Sequence, residues 1–465
     1  MFNVRRKVES QRENERMANK VVIIGGGAAG IDVLELLIRG RRNGPKMEIT
    51  LLKREKEGFF SMCGLPFALQ GLYNMNVLNI FEPEFYIDKG IDFRTLIEVK
   101  SIDLENKCVH IDFNKKIHYD YLVIAIGSKP LIPPIAGTNL EGVYTLGSSK
   151  DGELLEAAIT TKELKNGIII GSGWIGLQTS VAFAERGIKT RIVEKIPYIL
   201  PTLLDPDMAS IIKNSMENDT TFLLGMAVDA IKGRRNVKSV TVGGEEFSAD
   251  FVLISAGMRP NVDIAGKAGI TIGESGGIVT DLAMRVKRGN CYLDNVYALG
   301  DCVEVIDAIT YRPRLSQLAS TALIQARVVA NNILDMRSSF GPCLSPSVSN
   351  ISGLQVGSVG VTTEMASRYG IPIKIGKAIK QTKARYFPER KTIIAKLIFE
   401  AFQEKLIGAQ IISEDAVAER INELTLGIKT GITARDILMR ERCFDPSLAM
   451  VEDVIVGAAI NAFGN

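Results

Sequence analysis

The strongest constraint in this sequence is a glycine pattern that occurs twice. Residues 20–24 are a short apolar run leading into Gly25-Gly-Gly-Ala-Ala-Gly30, residues 167–170 lead likewise into Gly171-Ser-Gly-Trp-Ile-Gly176, and an apolar-periodic segment follows each motif. In such a strand–turn–helix unit the first glycine permits a tight turn, the second admits a pyrophosphate and the third allows close helix–strand packing. The repeated pattern therefore predicts an α/β protein with two Rossmann-like dinucleotide folds. The positions expected to contact the two nucleotides are Gly25, Gly27, Ala28, Ala29 and Gly30 in the first turn and Gly171, Gly173, Trp174, Ile175 and Gly176 in the second.

Composition excludes several other classes of protein. The chain has 56 lysines and arginines against 53 aspartates and glutamates, too even a balance for a dedicated nucleic-acid binder. No apolar stretch reaches the ~20 uninterrupted residues that a membrane helix needs, so neither a nucleic-acid nor a membrane partner is expected. Six irregularly spaced cysteines without a secretory signal favour a reducing, cytoplasmic compartment over a disulfide scaffold. The two histidines, His110 and His118, show no clustered metal-ligand spacing, and we predict no metal site.

Two further segments support the same architecture. Residues 121–130 and 251–260 are near-copies, each an apolar strand that ends at a glycine turn. The turn glycines, Gly127 and Gly257, are expected to lie against the bound cofactors.

A later strand ends in an acidic residue that suits a flavin. Residues 295–300 are a buried-strand pattern followed by Asp301, where a carboxylate can bind ribityl hydroxyls. A helix over residues 317–333 follows, and its N-terminal dipole, near Leu318 and Ala319, can stabilise negative charge on the flavin ring.

The order of these segments predicts two interleaved dinucleotide folds and a separate C-terminal domain. The charged N-terminal residues show no apolar period and are predicted to be flexible. A segment rich in Ser, Pro and Gly over residues 338–349 indicates a domain boundary. The predicted ranges are an extension over 1–19, the first fold over 20–149 and 282–337, the inserted fold over 150–281, and a C-terminal α+β domain over 338–465.

The C-terminal domain is expected to combine strands and long helices in one additional layer. The predicted strands cover residues 352–361, 371–381, 392–401 and 405–413, and the predicted helices cover 416–425 and 448–462.

A third motif, Ser61-Met-Cys63-Gly-Leu-Pro-Phe67, completes a resemblance to a known family. With the two glycine turns and the strand–turn segments in this order, the chain resembles the flavin-dependent pyridine nucleotide–disulfide oxidoreductases. It is most similar to their single-cysteine branch of coenzyme A-disulfide reductases, NAD(P)H persulfide or polysulfide reductases, NADH oxidases and NADH peroxidases. The resemblance covers about residues 20–460. It implies that the first fold binds FAD, with Ser61 in the cofactor site, that the inserted fold binds NAD(P)H, and that the last domain is a dimerisation domain forming a homodimer.

Cys63 is the predicted redox centre. It stands just before a helical segment over residues 65–71, where unpaired N–H groups and the helix dipole favour a reactive thiolate. Gly58 and Ala68 occupy the positions of a C-x4-C partner, so a redox disulfide with a neighbouring cysteine is not expected. The chemistry left to Cys63 is a mixed disulfide, a persulfide or a sulfenic acid. A buried, inert cysteine is the alternative interpretation.

The resemblance implies further catalytic and substrate-binding residues. Cys443 falls near the place where coenzyme A-disulfide reductases carry a tyrosine that reaches the partner's active site, so it would face Cys63 across the dimer. Tyr386 resembles another tyrosine of the reductase subgroup. A structural cysteine and a core aromatic residue are the alternative interpretations of these two. Arg39 and Arg42 follow the first helix, where coenzyme A-binding relatives place basic residues, and a solvated helix end is the alternative there.

The choice of nicotinamide cofactor is expected to depend on Glu194. This residue ends the strand after the second glycine turn, where a carboxylate accepts hydrogen bonds from an adenosine ribose 2′-OH and repels a 2′-phosphate. NADH is therefore the expected donor, and the neighbouring Lys195 leaves NADPH open as the alternative.

Three positions depart from what the family usually carries. Lys53 stands where an acidic residue usually binds the FAD ribose, and Glu55 or Glu57 would have to substitute. Trp174 replaces a tyrosine that covers the flavin in relatives, with a packing role as the alternative. Ala28 replaces the histidine that peroxidases carry inside the first glycine turn, which disfavours a peroxidase mechanism.

The predicted function is that of an FAD-dependent NAD(P)H oxidoreductase acting through Cys63. Its substrate would be a small disulfide, persulfide or polysulfide, with coenzyme A derivatives among the candidates. One alternative is an NADH oxidase or peroxidase that reduces O2 or H2O2. Another is an electron-input or redox-sensing subunit that serves a protein partner through the N-terminal extension.

Overall fold

The computed structural model describes residues 18–41, 46–112, 115–161 and 163–464. The predicted N-terminal extension lies outside the described residues except for its last two, and Asn19 already begins the first strand. Within the described ranges, no helix is both long and apolar enough to cross a bilayer.

A six-stranded sheet forms the core of the first dinucleotide fold. Its central strands pair in parallel, with Ile24 opposite Leu52 on one side and Ile124 on the other. Strands buried on both faces must be apolar throughout, which explains the unbroken apolar run at residues 21–24. The helices Ala28–Gly40 and Ala319–Ile333 pack into the same core. Across the sheet the strands are Arg285–Arg288, Cys291–Ala298, Tyr121–Ile124, Asn19–Ile24, Met47–Leu52 and Asp92–Arg94.

A second sheet of five parallel strands repeats this plan and confirms the second Rossmann-like fold. Ile170, at the end of its central strand, lies opposite Val193 and Ile254. The strands in order across the sheet are Val143–Tyr144, Phe251–Ile254, Asn166–Ile170, Lys189–Glu194 and Thr220–Leu224, with helices Ser149–Thr161, Trp174–Glu185 and Pro206–Met216 and an antiparallel sheet of Val228–Gly233, Val237–Val242 and Glu245–Ser248.

The C-terminal domain is an antiparallel sheet covered by helices, as an α+β layer requires. Its central strand, Leu406–Ser413, is buried along its whole length. Across the sheet the strands are Ser347–Ile351, Leu354–Gly360, Leu406–Ser413, Thr392–Glu400 and Ile373–Gln381, and the helices are Thr363–Arg368, Ala418–Thr430, Ala434–Met439 and Val454–Phe463.

Two details of the predicted C-terminal domain were wrong. The segment predicted as a linker over residues 338–349 ends in a strand, because Ser347–Ile351 pairs with Leu354–Gly360. The last helix begins at Val454 and not at residue 448, because the Asp453 side chain accepts the Ile455 N–H and caps the helix there. The exact domain boundaries stay predictions.

The near-copy segments after the two central strands meet each other. Ser128–Pro130 pairs antiparallel with Met258–Pro260, which joins the loops of the two dinucleotide folds. The remaining short elements are the strands Phe59–Phe60, Asn79–Phe81, Ser101–Asp103, Cys108–Asp112, Lys115–His118, Glu304–Ile306 and Pro313–Leu315, the helices Leu65–Gln70, Glu84–Ile87 and Asp263–Lys267, and the 3₁₀ turns Met62–Gly64, Met75–Leu78 and Gly300–Cys302.

Candidate active site

In the first glycine turn, Gly25 and Gly30 are closely packed against backbone atoms, whereas Gly27 between them faces open space. A Cβ on Gly25, whose φ is 107°, would lie 2.1 Å from the Ala125 carbonyl oxygen, and a Cβ on Gly30 would lie 2.0 Å from the Gly25 oxygen. A Cβ on Gly27 would meet nothing within 4 Å. Gly27 is the N-cap of the helix Ala28–Gly40 and no side chain caps it. The unpaired N–H groups of Ala28 and Ala29 therefore border open space, which is what a pyrophosphate requires.

The second glycine turn has the same geometry. A Cβ on Gly171 would lie 2.5 Å from the Ser255 oxygen, and a Cβ on Gly176 would lie 2.2 Å from the Gly171 oxygen. Gly173 faces open space and begins the helix that contains Trp174 and Ile175. The protein thus carries two equivalent anion-binding helix starts.

Glu194 is held beside the second turn by three hydrogen bonds. Its Oε2 accepts from the Ser172 N–H at 3.0 Å and from the Ser172 hydroxyl at 2.8 Å, and its Oε1 accepts from the Ile196 N–H at 3.0 Å. A carboxylate keeps further acceptor capacity when two or three of its sites are used. Glu194 is therefore fixed in orientation and still able to accept a ribose hydroxyl. Lys195 next to it is exposed.

Lys53 forms a bridge beneath the first glycine turn. Its side chain is 4% exposed, and its Nζ donates to the Gly26 oxygen at 3.0 Å and the Gly58 oxygen at 3.3 Å. Burial lowers the pKa of Lys53, and the charges of Glu55 and Glu57 oppose this shift. Lys53 thus ties the turn to the segment that leads to the Cys63 motif, a structural role for the residue that replaces an acid.

Glu57 is the candidate for the carboxylate that Lys53 does not provide. It is buried, and its Oε2 lacks a hydrogen-bond partner among the described residues. A buried acceptor left without a partner is costly, so this oxygen indicates a group that is still to bind. Of the two substitutes considered from the sequence, the geometry favours Glu57 over the half-buried Glu55.

Asp301 lies where the first glycine turn meets the returning strand. A Cβ on Gly300 would lie 2.9 Å from the Ala29 Cβ, so the Gly300–Cys302 turn packs directly on the first turn. The Ser128 hydroxyl donates to Asp301 Oδ2 at 2.8 Å. Burial raises the pKa of Asp301, and this hydrogen bond opposes the shift.

The neighbouring cofactor candidates also border open space. A Cβ on Gly127 or on Gly257 would meet nothing within 4 Å, and both residues have positive φ. Leu318 is the N-cap of the helix Ala319–Ile333, and no side chain caps that helix start. These positions are therefore free to approach a ligand.

Cys63 is an exposed free thiol, and the turn that carries it is fixed by hydrogen bonds. The cysteine lies within the 3₁₀ turn Met62–Gly64, and the helix expected to follow it covers Leu65–Gln70. The Ser61 N–H donates to the Leu78 oxygen at 2.8 Å, and the Tyr73 hydroxyl donates to the Gly64 oxygen at 3.1 Å. The alternative of a buried cysteine does not apply to Cys63, whereas Cys108, Cys302 and Cys343 are buried.

Tyr386 and Cys443 lie on two loops that touch. The Ala384 N–H donates to the Pro446 oxygen at 3.1 Å, which holds the loops side by side. Tyr386 is 78% exposed and Cys443 is exposed as well, so neither is a core residue. In the described ranges, no hydrogen bond joins either loop to the turn that holds Cys63.

Trp174 packs toward the C-terminal sheet. Its Nε1 donates to the Ser347 hydroxyl at 2.8 Å, and one turn further Gln178 Nε2 donates to the Ser349 hydroxyl at 2.8 Å. These contacts support the packing interpretation of Trp174.

Arg39 is exposed and pairs with Glu35 at 3.4 Å, as at a solvated helix end, and Arg42 lies outside the described residues.

One cluster of ligand-type side chains was not predicted from the sequence. Asp103, Cys108 and His110 bring three ligand-type atoms to within 4.8 Å of one another, although no metal-ligand spacing was recognised. The available signal was the i, i+2 spacing of Cys108 and His110, which places both on one face of a strand.

These elements define a class of protein: a redox protein with two dinucleotide folds and an exposed cysteine that follows a segment tied to the first glycine turn. The chain belongs to the pyridine nucleotide–disulphide oxidoreductases, whose sequence model matches residues 19–326, and the dimerisation domain of that family matches residues 347–454. The family uses FAD and NAD(P)H, and the chain is accordingly an NAD(P)H-dependent oxidoreductase.

Three relatives illustrate the family's range. The chain is 35% identical to an NADH oxidase of Methanocaldococcus jannaschii over 451 residues, which is 95% of this chain and 98% of the relative. It is 28% identical to an NAD(P)H coenzyme A polysulfide/persulfide reductase of Pyrococcus horikoshii, over 95% of this chain and 98% of the relative. The structure of an NAD-dependent persulfide reductase from A. fulgidus matches with a TM-score of 0.90 at 30% identity, over 95% of this chain and 82% of the other.

The residues of the first fold fit FAD. Gly27 leaves room for the pyrophosphate, the unpartnered Glu57 Oε2 suits the ribose hydroxyls, and the half-buried Asp301 suits a ribityl chain. When bound, FAD supplies two-electron transfer between the nicotinamide and sulfur.

We expect Glu57→Gln to weaken FAD binding by about tenfold or more, because a hydrogen bond to a charged acceptor is lost. Titration of the FAD-free protein, followed by quenching of flavin fluorescence, measures this affinity. Glu55→Gln is the matched control and should bind like the wild type. Since Glu57 also balances the charge of Lys53, melting of the two FAD-free variants should be compared. Equal FAD affinity in Glu57→Gln and wild type would contradict the assignment.

Proposed function

We propose that this protein reduces a small disulfide, persulfide or polysulfide with NAD(P)H, using FAD and the single redox cysteine Cys63. The observation that carries the proposal is that Cys63 is a free, exposed thiol on a rigid turn. Gly58 and Ala68 occupy the C-x4-C positions around it, so no neighbouring cysteine can pair with it there and the thiol is available to a sulfur substrate.

The sulfur chemistry needs one thiolate and two electrons. The Cys63 thiolate attacks one sulfur of the substrate, so that a new S–S bond forms, the substrate S–S bond breaks and one thiolate leaves. Two electrons that originate from the nicotinamide then break the mixed disulfide, which restores the Cys63 thiolate and releases the second thiol after protonation. With a persulfide, attack on the outer sulfur expels a thiolate and leaves a Cys63 persulfide, and the two electrons then release sulfide; with a polysulfide, the attack expels a polysulfide shortened by one sulfur and the two electrons again release sulfide.

The glycine turns and their carboxylates position the two nucleotides in this scheme. The first turn, with Glu57 and Asp301, holds FAD in a domain assigned to residues 20–149 and 282–337. The second turn, with Glu194, holds NADH in a domain assigned to residues 150–281.

We further propose that the C-terminal domain, residues 338–465, pairs two chains so that Tyr386 and Cys443 of one chain approach Cys63 of the other. Their joined loops and high exposure support this arrangement. Tyr386 would donate a proton to the leaving thiolate, and Cys443 would serve as a second thiol.

Arg39 and Arg42 would bind an anionic substrate such as a coenzyme A derivative. Free thiols suit a cytoplasmic setting.

The rival function is that of an NADH oxidase, which the similarity to the Methanocaldococcus jannaschii protein favours. Oxidase turnover through sulfur would take Cys63 to a sulfenic acid, which NADH-derived electrons reduce to the thiolate and water. The absence of a histidine from the first glycine turn removes the acid that peroxidases use there.

A substrate panel separates the two functions. FAD-loaded protein, reduced anaerobically with NADH, would be mixed with coenzyme A disulfide, coenzyme A persulfide, polysulfide, O2 or H2O2. We expect at least one sulfur substrate to be reduced about tenfold faster than either oxygen substrate. Faster turnover of O2 or H2O2 than of every sulfur compound would overturn the proposal in favour of the oxidase.

A further inference from the structure

A small three-stranded sheet outside the active site gathers both histidines of the chain on one face. Strand Cys108–Asp112 pairs with Ser101–Asp103 on one side and Lys115–His118 on the other. Cys108 lies directly opposite Asp103 and opposite His118. Residues opposite one another in an antiparallel pair share a face, as do residues two apart on one strand. Asp103, Cys108, His110 and His118 therefore share one face, and Ile102 and Val109 fill the core from the other.

Three of these side chains already approach metal-binding distances. Cys108 Sγ lies 3.8 Å from His110 Nε2, and the ligand atoms of Asp103, Cys108 and His110 all lie within 4.8 Å of one another. Zinc–ligand bonds of about 2.0–2.3 Å at tetrahedral angles separate neighbouring ligand atoms by about 3.3–3.8 Å. The distance between Cys108 Sγ and His110 Nε2 already fits this range. The Asp103 oxygen would have to move about 1 Å closer to the other two ligand atoms.

The Asp103 carboxylate is held in orientation by Asn106, in the turn that follows the strand Ser101–Asp103. Asp103 Oδ1 accepts from the Asn106 N–H at 3.0 Å, and its Oδ2 accepts from Asn106 Nδ2 at 2.8 Å. Metal-ligating carboxylates are usually held by such outer hydrogen bonds. Each Asp103 oxygen keeps a further lone pair for a cation.

A buried hydroxyl beside the cluster lacks a partner. Tyr119 is 3% exposed, its N–H donates to the Lys107 oxygen next to Cys108, and its hydroxyl has no hydrogen-bond partner among the described residues. The Tyr119 side chain packs into the same core as Ile102 and Val109, on the other face of the sheet, so it is not one of the ligand-type side chains.

We propose that Asp103, Cys108 and His110 bind one zinc ion, with the exposed His118 turning inward as the fourth ligand. The thiolate and imidazole select zinc over magnesium or calcium, which prefer oxygen ligands. On binding, Cys108 forms a Zn–S bond and its proton passes to solvent. The ion would join side chains from all three strands of this small sheet, which ends just before the strand Tyr121–Ile124. The site is therefore structural and independent of the proposed function.

Zinc binding can be measured on the full-length, FAD-loaded protein in a Cys63→Ser background, which removes the reactive thiol. Equilibrium dialysis against zinc chloride with metal analysis should find one zinc per chain. His110→Gln and Cys108→Ser should weaken binding at least about tenfold, and His118→Asn should weaken it as well. Cys291→Ser, another exposed cysteine, is the matched control and should bind normally.

Thermal melting gives a second readout. Zinc should raise the melting temperature of the background protein and of the Cys291→Ser control, and should not raise that of His110→Gln. His110 is only half-buried, so this variant remains informative if Cys108→Ser fails to fold. Absence of zinc binding, or the same affinity in His110→Gln and in the control, would overturn the proposal. Unchanged affinity in His118→Asn would overturn its assignment as the fourth ligand.

Discussion

Replacing Cys63 with serine is expected to lower kcat for disulfide and persulfide reduction by at least about a thousandfold, the scale on which loss of a nucleophile acts. Serine keeps the shape of the side chain but cannot form an S–S bond or carry its electrons. Since Cys63 is exposed, the substitution leaves no cavity in the core, and the fold should be unaffected. NADH should still reduce the bound FAD at a rate close to that of the wild type, because that step does not use the Cys63 thiol.

Anaerobic stopped-flow spectroscopy separates the two steps. Flavin bleaching after mixing with NADH reports the first, and thiol or sulfide release after addition of substrate reports the second. Cys291→Ser is the matched control, since it also removes an exposed thiol, and its turnover should lie within about twofold of the wild type. Turnover by Cys63→Ser at the wild-type rate would refute Cys63 as the redox centre and, with it, the mechanism.

The glycine turns were predictable because their cause is local. A Cβ on Gly30 would lie 2.0 Å from the oxygen of the nearby Gly25, so only glycine fits there, and the G-x-G-x-x-G pattern is readable without knowledge of the fold. The Cys63 motif was recognisable for the same reason, since its turn is held by residues that lie close in sequence, from Ser61 to Leu78.

The missed features depend on contacts between distant residues. The sequence suggested Lys53 as an anomaly, but only the fold shows that its amine bridges Gly26 and Gly58 and leaves Glu57 as the available carboxylate. The touching loops of Tyr386 and Cys443 are joined by one backbone hydrogen bond across a long intervening segment. Strand pairing likewise brings Asp103 opposite Cys108, a contact that the i, i+2 spacing of Cys108 and His110 does not reveal.

We predict that Glu194 determines the choice between NADH and NADPH. Its carboxylate is held by Ser172 and Ile196 at the end of the strand Lys189–Glu194, beside the second glycine turn. A 2′-phosphate placed there would be repelled by the negative charge of Glu194. The hydrogen bonds to Ser172 and Ile196 prevent the carboxylate from rotating out of the way. Such a juxtaposition costs several kcal/mol, whereas a 2′-OH gains a hydrogen bond.

We therefore expect the wild type to prefer NADH, and Glu194→Gln to lower the ratio of kcat/KM for NADH over NADPH by about a hundredfold. The glutamine oxygen can still accept the Ser172 N–H, so the turn should persist while the repulsion disappears. Steady-state rates with both nucleotides measure the ratio, and Glu185→Gln, at the far end of the helix Trp174–Glu185, is the matched control. A ratio unchanged in Glu194→Gln but altered in Lys195→Gln would assign the discrimination to the neighbouring lysine, because removing that cation would then be what weakens phosphate binding.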